Sequence, residues 1–255
     1  MLETHSLTVR FGGHVAVNDV SCAYAPGTLT AIVGPNGAGK TTYFNLISGQ
    51  LRASAGTVTL NGRDLTTLSA PARMHAGLGR AFQLTQLFPR LSVHENVRLA
   101  LQSRQQGMGW RHIRFWRTWR DDRGLMERAD ALLARTRLTA RRDQPAADLP
   151  HGDQRKLEIA MLIALEPSVF MFDEPTAGMS VDDVPVVLDL IRELKADASK
   201  TILLVEHKMD VVRELADRIV VLHNGRLMAD GDPATVIASP IVQRAYLGIS
   251  AQEAA

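Results

Sequence analysis

A β-branched run, Thr28 to Val33, leads straight into Gly34-Pro35-Asn36-Gly37-Ala38-Gly39-Lys40-Thr41, and a helix-compatible segment, Thr41 to Ser48, follows at once. A strand, a glycine-rich loop and a helix in that order restrict the chain to an α/β fold whose loop wraps an anion. Gly34, Gly37 and Gly39 allow the backbone angles that turn successive N–H groups toward one polyphosphate, and the helix start adds about half a positive charge there. Lys40 is then expected to neutralise the β and γ phosphates, and the Thr41 hydroxyl can ligate magnesium. Pro35, Asn36, Ala38 and Thr42 complete the stretch that contacts the nucleotide.

Far downstream, Val169-Phe170-Met171-Phe172 reads as a buried parallel strand that delivers Asp173 and Glu174 at its carboxyl end. Ligands of open α/β sheets sit at that end. Asp173 is expected to hold magnesium through water and Glu174 to polarise an attacking water. With the phosphate loop, the pair points to nucleoside triphosphate hydrolysis.

A chain of 255 residues is long for one simple domain, which suggests a main domain with an inserted subdomain. The net charge of +2 implies neither an acidic tail nor a general nucleic-acid footprint. One cysteine, Cys22, cannot form an internal disulfide, which fits a reducing compartment, and it reads as a small apolar filler in a strand. Met1-Leu2-Glu3-Thr4-His5 shows no basic start followed by an apolar stretch, so no secretory signal is expected and the protein should stay in the cytosol. The most apolar region, Leu157 to Phe172, is broken by Glu158, Glu166 and Pro167. It falls short of the roughly 18 to 20 apolar residues needed to span a bilayer.

Alternation at Leu7, Val9 and Phe11 and a short strand over Val15, Val17 and Val20 precede the Pro26-Gly27 turn, and Gly56 to Leu60 runs into an Asn61-Gly62 hairpin turn. Gly79 to Gln83 reads as a core strand. From Leu91 to about Glu158 the chain is helix-rich, and it returns to strand at Ser168 to Phe172. A helix over Val184 to Lys195, a strand over Thr201 to Val205 and a helix over Met209 to Ala216 follow. Arg218 to Leu222, Asn224-Gly225 and Arg226 to Ala229 form a hairpin, and a short helix covers Pro233 to Ala238. The expected fold is α/β, a phosphate-loop core with a largely parallel sheet, an antiparallel β subdomain and an inserted helical subdomain. The core, with its antiparallel subdomain and a C-terminal helical tail, is assigned to 1–88 and 165–255, and the insert to 89–164.

These features resemble the nucleotide-binding subunit of ATP-binding cassette (ABC) transporters over nearly the whole length. The resemblance implies that Gln83 is the glutamine-loop residue, contacting magnesium or the lytic water and sensing a membrane partner. His207, after Thr201 to Val205, corresponds to the switch histidine that contacts the γ phosphate. Phe11 lies where the family places an aromatic against adenine, a stacking contact of about 1 to 3 kcal/mol. A lone Phe in an alternating strand also reads as core.

Leu149-Pro150-His151-Gly152-Asp153 aligns with the family signature, Leu-Ser-Gly-Gly-Gln. In the family this segment caps a helix and touches the γ phosphate bound by the other subunit. Proline suits a first helical turn because it lacks an N–H that would go unpaired there, but it cannot donate the serine hydroxyl bond. Gly152 still offers a backbone N–H. The loss is expected to cost on the order of 1.5 to 3 kcal/mol, weakening hydrolysis tenfold to a hundredfold without abolishing it. Ser180 stands where the family has aspartate in the loop Thr176 to Ser180, which bears on communication between the two ATP sites.

The resemblance is nearest to importers of branched-chain and other hydrophobic amino acids. It rests on Phe11-Gly12-Gly13, Gly152-Asp153-Gln154-Arg155, Glu174 to Met179 and Ala245-Tyr246-Leu247-Gly248. It implies ATP and Mg2+ as cofactors and a second ATP-binding subunit, identical or homologous. It also implies transmembrane permeases, an indirect link to a periplasmic or extracellular substrate-binding protein, and a peripheral place on the cytoplasmic face of the membrane. Nucleic acid is not an expected partner. An exporter ATPase for lipid or lipopolysaccharide, a soluble cassette ATPase, a small-molecule kinase and a poorly hydrolysing regulatory subunit are the alternatives. Trp110, Trp116 and Trp119, interleaved with Arg111, Arg114, Arg117 and Arg120, read either as a basic aromatic surface toward permease or lipid, or as a helix with packed tryptophans and solvated arginines.

Overall fold

The computed structural model describes residues 1–81, 87–106 and 123–247. Phe82 and Gln83 of the expected strand, the Trp110 to Arg120 stretch and Gly248 lie outside the described residues. The chain divides into two compact units, one of Met1–Arg80, Ser168–Glu174 and Lys195–Ala255, the other of Ala81–Pro167 and Pro175–Leu194.

The first unit carries two sheets. Strands β1 (Leu2–Phe11), β2 (His14–Tyr24), β4 (Ala55–Leu60) and β5 (Arg63–Asp64) form an antiparallel sheet in the order β2-β1-β4-β5. β2 runs through eleven residues, longer than the short strand expected from its valines. The second sheet has the order β10-β9-β3-β8-β7-β6, with β3 (Leu29–Val33), β6 (Leu78–Ala81), β7 (Val169–Asp173), β8 (Thr201–Val205), β9 (Arg218–His223) and β10 (Arg226–Gly231). β9, β3, β8 and β7 pair in parallel, and β10 returns antiparallel on β9.

The central strands are buried throughout, and with side chains alternating between faces both sides of this sheet lie in cores. Ile32, Val220 and Leu222 pack with Leu7, Val17, Tyr43, Phe44 and Ile47 toward the antiparallel sheet and helix α1 (Lys40–Ser48). Ala31, Val33, Ile219 and Val221 face the other way, against Val212 of α7 (Met209–Leu215), Val236 of α8 (Pro233–Ala238) and Val242 of α9 (Pro240–Leu247). Asp232 caps α8 by accepting from the Thr235 N–H at 2.9 Å, with Pro233 just inside the helix.

The short helix α2 (Ala70–His75) has no counterpart in the sequence reading, because six residues are too few to show a helical period. It carries Arg73, 2% exposed. The guanidinium donates to the carbonyls of Leu46 and Ile47 at 2.7 Å each and of Thr66 at 2.8 Å, so it satisfies acceptors that the last turn of α1 leaves open. Cys22 is buried on β2, and burial raises its thiol above the ordinary value, consistent with the inert filler expected.

The second unit is helical, with α3 (Val93–Gln106), α4 (Arg123–Arg135), α5 (His151–Leu165) and α6 (Val184–Lys195, all but its last residue). Ser92 and Glu95 form a capping box at the start of α3: the Ser92 N–H donates to the Glu95 carboxylate at 2.9 Å, and the Glu95 N–H to Ser92 Oγ at 3.2 Å. On α4, Leu125, Ala129, Leu132 and Leu133 are buried at helical spacing. The unit begins at Ala81 and takes in Pro175–Leu194, whereas the sequence reading placed the insert at 89–164 and left Val184 to Lys195 with the core. An ion pair between Arg135 and Glu193, 2.6 Å, ties α6 to the end of α4, a long-range contact with no signature in the sequence.

Candidate functional site

In the first unit the glycine-rich loop connects the end of β3 to the start of α1. Its shape needs glycine for a steric reason. Gly34 has φ +152°, and a Cβ there would lie 2.1 Å from the Leu222 carbonyl oxygen on β9; at Gly39, φ +94°, it would lie 2.5 Å from the Ala16 oxygen on β2. The Gly225 N–H donates to the Ala38 carbonyl at 3.0 Å, and the Asn18 N–H to the Gly225 carbonyl at 2.8 Å, so the loop is braced by the β9–β10 turn and by β2. Asn36 and Gly37 stay exposed.

Lys40, 6% exposed, folds back so that Nζ donates to the carbonyls of Gly34 at 2.7 Å and Pro35 at 3.0 Å. Desolvation draws its ammonium below the ordinary lysine value, while Glu174 and Asp173 push the other way. Thr41 and Thr42 are half-buried in the first turn of α1. Parallel register places the acids on the same edge of the sheet: Asp173 of β7 pairs with Val205 of β8, which pairs with Ile32 of β3. The Glu174 N–H donates to the Val205 carbonyl at 2.9 Å, and Glu174 itself takes a positive φ of 49°. His207 Nε2 then lies 2.9 Å from Glu174 Oε1. Loop, acid pair and histidine, spread over 174 residue numbers, therefore meet at the carboxyl ends of three neighbouring strands, where such sheets bind ligands.

Phe11 ends β1 with its ring half exposed, so it does not serve as core and remains available for stacking. Gln83, the other expected magnesium or water contact, lies outside the described residues. Among the described residues no group of three or more His, Cys, Asp or Glu could hold a metal by itself. The Thr41 hydroxyl and the Asp173 carboxylate are a sparse oxygen set of the kind Mg2+ takes, with its remaining ligands from phosphate and water. Thr41 and Asp173 would be the protein ligands.

The second unit holds the signature-like segment. Leu149 is buried, Pro150 occupies the N-cap of α5 at φ −55°, ψ 152°, and α5 begins at His151. Pro150 thus stands one position before the first helical turn. At Gly152 a Cβ would lie 2.8 Å from Asp183 Oδ2, so a side chain there would require the Asp183 carboxylate to shift. Asp153 is engaged within its own unit, with Arg141 Nε at 2.8 Å and Lys156 Nζ at 2.5 Å. Lys156 also reaches Asp183 Oδ1 at 2.9 Å, and Ser180 Oγ donates to Asp183 Oδ2 at 2.7 Å. The helix start and the Ser180 loop are in this way joined through Lys156 and Asp183, a link sequence reasoning missed.

The Lys156 and Ser180 bonds hold the Asp183 carboxyl below its ordinary value. A depressed folded-state value stabilises the protein above the unfolded value of about 4 and loses that contribution as pH falls through the folded one. Asp183→Asn should therefore be less stable than wild type at pH 7, with the gap narrowing below about pH 4, as read from urea melts across pH.

A second missed residue is Arg80 on β6, whose Nη2 donates to Asp173 Oδ2 at 2.7 Å. Its signal was a charged residue in the middle of a core strand, where a charge needs a partner.

Together these features define a phosphate-loop nucleoside triphosphatase. The model of the ABC transporter family matches residues 17–177. The chain is 37% identical over 249 residues to the high-affinity branched-chain amino acid transport ATP-binding protein LivG of Salmonella typhimurium, covering 97% of this chain and 98% of that protein. It is 32% identical to the lipopolysaccharide export system ATP-binding protein LptB of Acidithiobacillus ferridurans, with 97% of each covered. The crystal structure of the ADP conformation of MJ1267, an ATP-binding cassette of an ABC transporter, superposes with TM-score 0.80 at 29% identity, covering 98% of this chain and 99% of that one. The chain belongs to the ABC transporter family as an ATP-binding cassette, an ATPase coupled to transport.

Proposed function

We propose that this cassette powers import of branched-chain or other hydrophobic amino acids. The full-length similarity to LivG supports that reading most strongly, since it exceeds the similarity to the export ATPase LptB over the same span. As a subunit of such a transporter the chain works on the cytoplasmic face of the membrane, held there by transmembrane permeases and fed indirectly by a substrate-binding protein. Among its described residues no helix is long and apolar enough to cross a membrane, so attachment through permeases suits it.

In this reading the first unit is the ATPase core with its antiparallel β subdomain, and the second is the inserted helical subdomain bearing the signature. Gly34 to Thr42 cradle the phosphates, Phe11 stacks on adenine, and Lys40 leaves the Gly34 and Pro35 carbonyls to pair with the β and γ phosphates. Thr41, Asp173 and Gln83 hold Mg2+, which supplies charge neutralisation on the phosphate oxygens. Glu174 orients a water for in-line attack, and His207 holds the Glu174 carboxylate and contacts the γ phosphate. Leu149 to Asp153 face the nucleotide of a second ATP-binding subunit, with Gly152 offering its N–H where Pro150 offers none. Two nucleotides at such an interface make closure ATP-dependent, and hydrolysis reopens it.

Proteoliposomes carrying the chain with its permeases, loaded with ATP and supplied with binding protein and radiolabelled leucine, test the assignment. Leucine accumulation that stops without ATP is expected. Turnover stimulated by lipopolysaccharide and indifferent to leucine would overturn it in favour of export.

A further inference from the structure

We propose that Arg80 is a positioning residue of the cation site: as the resident countercharge of Asp173, it lowers the site's affinity for a divalent cation and makes cation binding depend on the nucleotide's phosphates. The inference rests on reading Asp173 as a magnesium-site carboxylate. The side chain of Arg80 is 5% exposed and that of Asp173 fully buried, with 2.7 Å between Nη2 and Oδ2.

The guanidinium is fixed from several sides. Nη1 donates to Asn45 Oδ1 at 2.7 Å, Ser48 Oγ at 3.0 Å and Gln50 Oε1 at 3.0 Å, and the guanidinium carbon stands 5.5 Å from the Phe44 ring centroid. Phe44, Asn45 and Ser48 belong to α1, the helix that begins with Lys40 and Thr41, so the element presenting the phosphate loop also anchors Arg80.

A charge held this way cannot swing clear when a cation arrives. A dication approaching Asp173 meets a carboxylate already neutralised and a positive charge a few ångströms off, where unscreened repulsion is large. Phosphate oxygens supply the missing negative charge, so the cation binds well with nucleotide and poorly before it. The fixed guanidinium also keeps Asp173 Oδ2 in one orientation.

The experiment titrates Mg2+ into nucleotide-free and ADP-bound protein, using a fluorescent ADP analogue as reporter for the bound form and calorimetry for Mg2+ alone. Melting curves in EDTA verify folding of each variant. Arg80→Gln keeps hydrogen-bond donors without charge, and Arg80→Met keeps only the apolar stem. In either, if folded, the Mg2+ midpoint is expected to fall about tenfold, most clearly without nucleotide. Arg80→Lys should stay near wild type, and the effect of Arg80→Gln should vanish in an Asp173→Asn background. Folded neutral variants with a wild-type or higher Mg2+ midpoint would overturn the proposal, as would an effect surviving Asp173→Asn. ADP affinity that ignores Mg2+ in the wild type would instead overturn the reading of the metal site, a result distinct from failure of Arg80 alone.

Discussion

Glu174→Gln is expected to keep nucleotide binding and lose ATP turnover by at least about a hundredfold, the lower end of what a positioned general base contributes. The substitution is nearly isosteric. Glutamine can occupy the same place after β7 and still hydrogen-bond His207 Nε2, which lies 2.9 Å from the Glu174 carboxylate. What it cannot do is draw a proton from water or oppose the positive charge of Lys40. Ground-state binding, made by the loop amides and Lys40, should remain, so the variant accumulates as a closed ATP-bound dimer. Phosphate release and size-exclusion chromatography with ATP read the two effects separately. Wild-type turnover in this variant would remove Glu174 from the catalytic role.

Gly34→Ala should cost about 4 kcal/mol of stability, adding backbone strain of about 1–3 kcal/mol to overpacking of similar size. The added Cβ would lie 2.1 Å from the Leu222 carbonyl oxygen. That oxygen belongs to the backbone of β9, which pairs with β3 through Val33 and Val221, so relief requires prying two central strands apart. A milder outcome is expected at Gly37. Its φ of +78° disfavours alanine, but no atom lies within 4 Å of the added carbon, so Gly37→Ala should cost about 1–2 kcal/mol. Urea melts measure both losses, and nucleotide affinity of the folded fraction reports loop shape. Equal effects at the two positions would show that steric fit against β9 is not what selects glycine at 34.

Much of the secondary structure was legible because its signals are local. The helix Val184 to Lys195, the strand Thr201 to Val205 and the helix Pro233 to Ala238 appear with the bounds expected, each framed by periodic apolar residues and turn or cap chemistry. α2 was not legible, being short, and Pro150, read as suited to a first helical turn, is instead the N-cap of α5. Chemistry followed the same division. The phosphate loop announces itself in eight consecutive residues, and Asp173-Glu174 in the strand that precedes them.

The long-range charge pairs were hidden. Arg80 and Asp173 stand 93 residues apart, and Lys156 and Asp183 stand 27 apart, on elements whose adjacency no spacing rule encodes. Asp153, read as a nucleotide contact, is drawn into a pair with Arg141 that only the packing of the second unit could create.

By itself, then, the sequence determined the strand-loop-helix unit, its glycines and the acid pair that ends β7, because backbone conformation and local apolar patterning act between near neighbours. Only the tertiary structure decided which charges oppose one another. Pairing of distant side chains depends on strand order and helix packing, and these bring Arg80 to Asp173 and His207 to Glu174 at 2.7 Å and 2.9 Å.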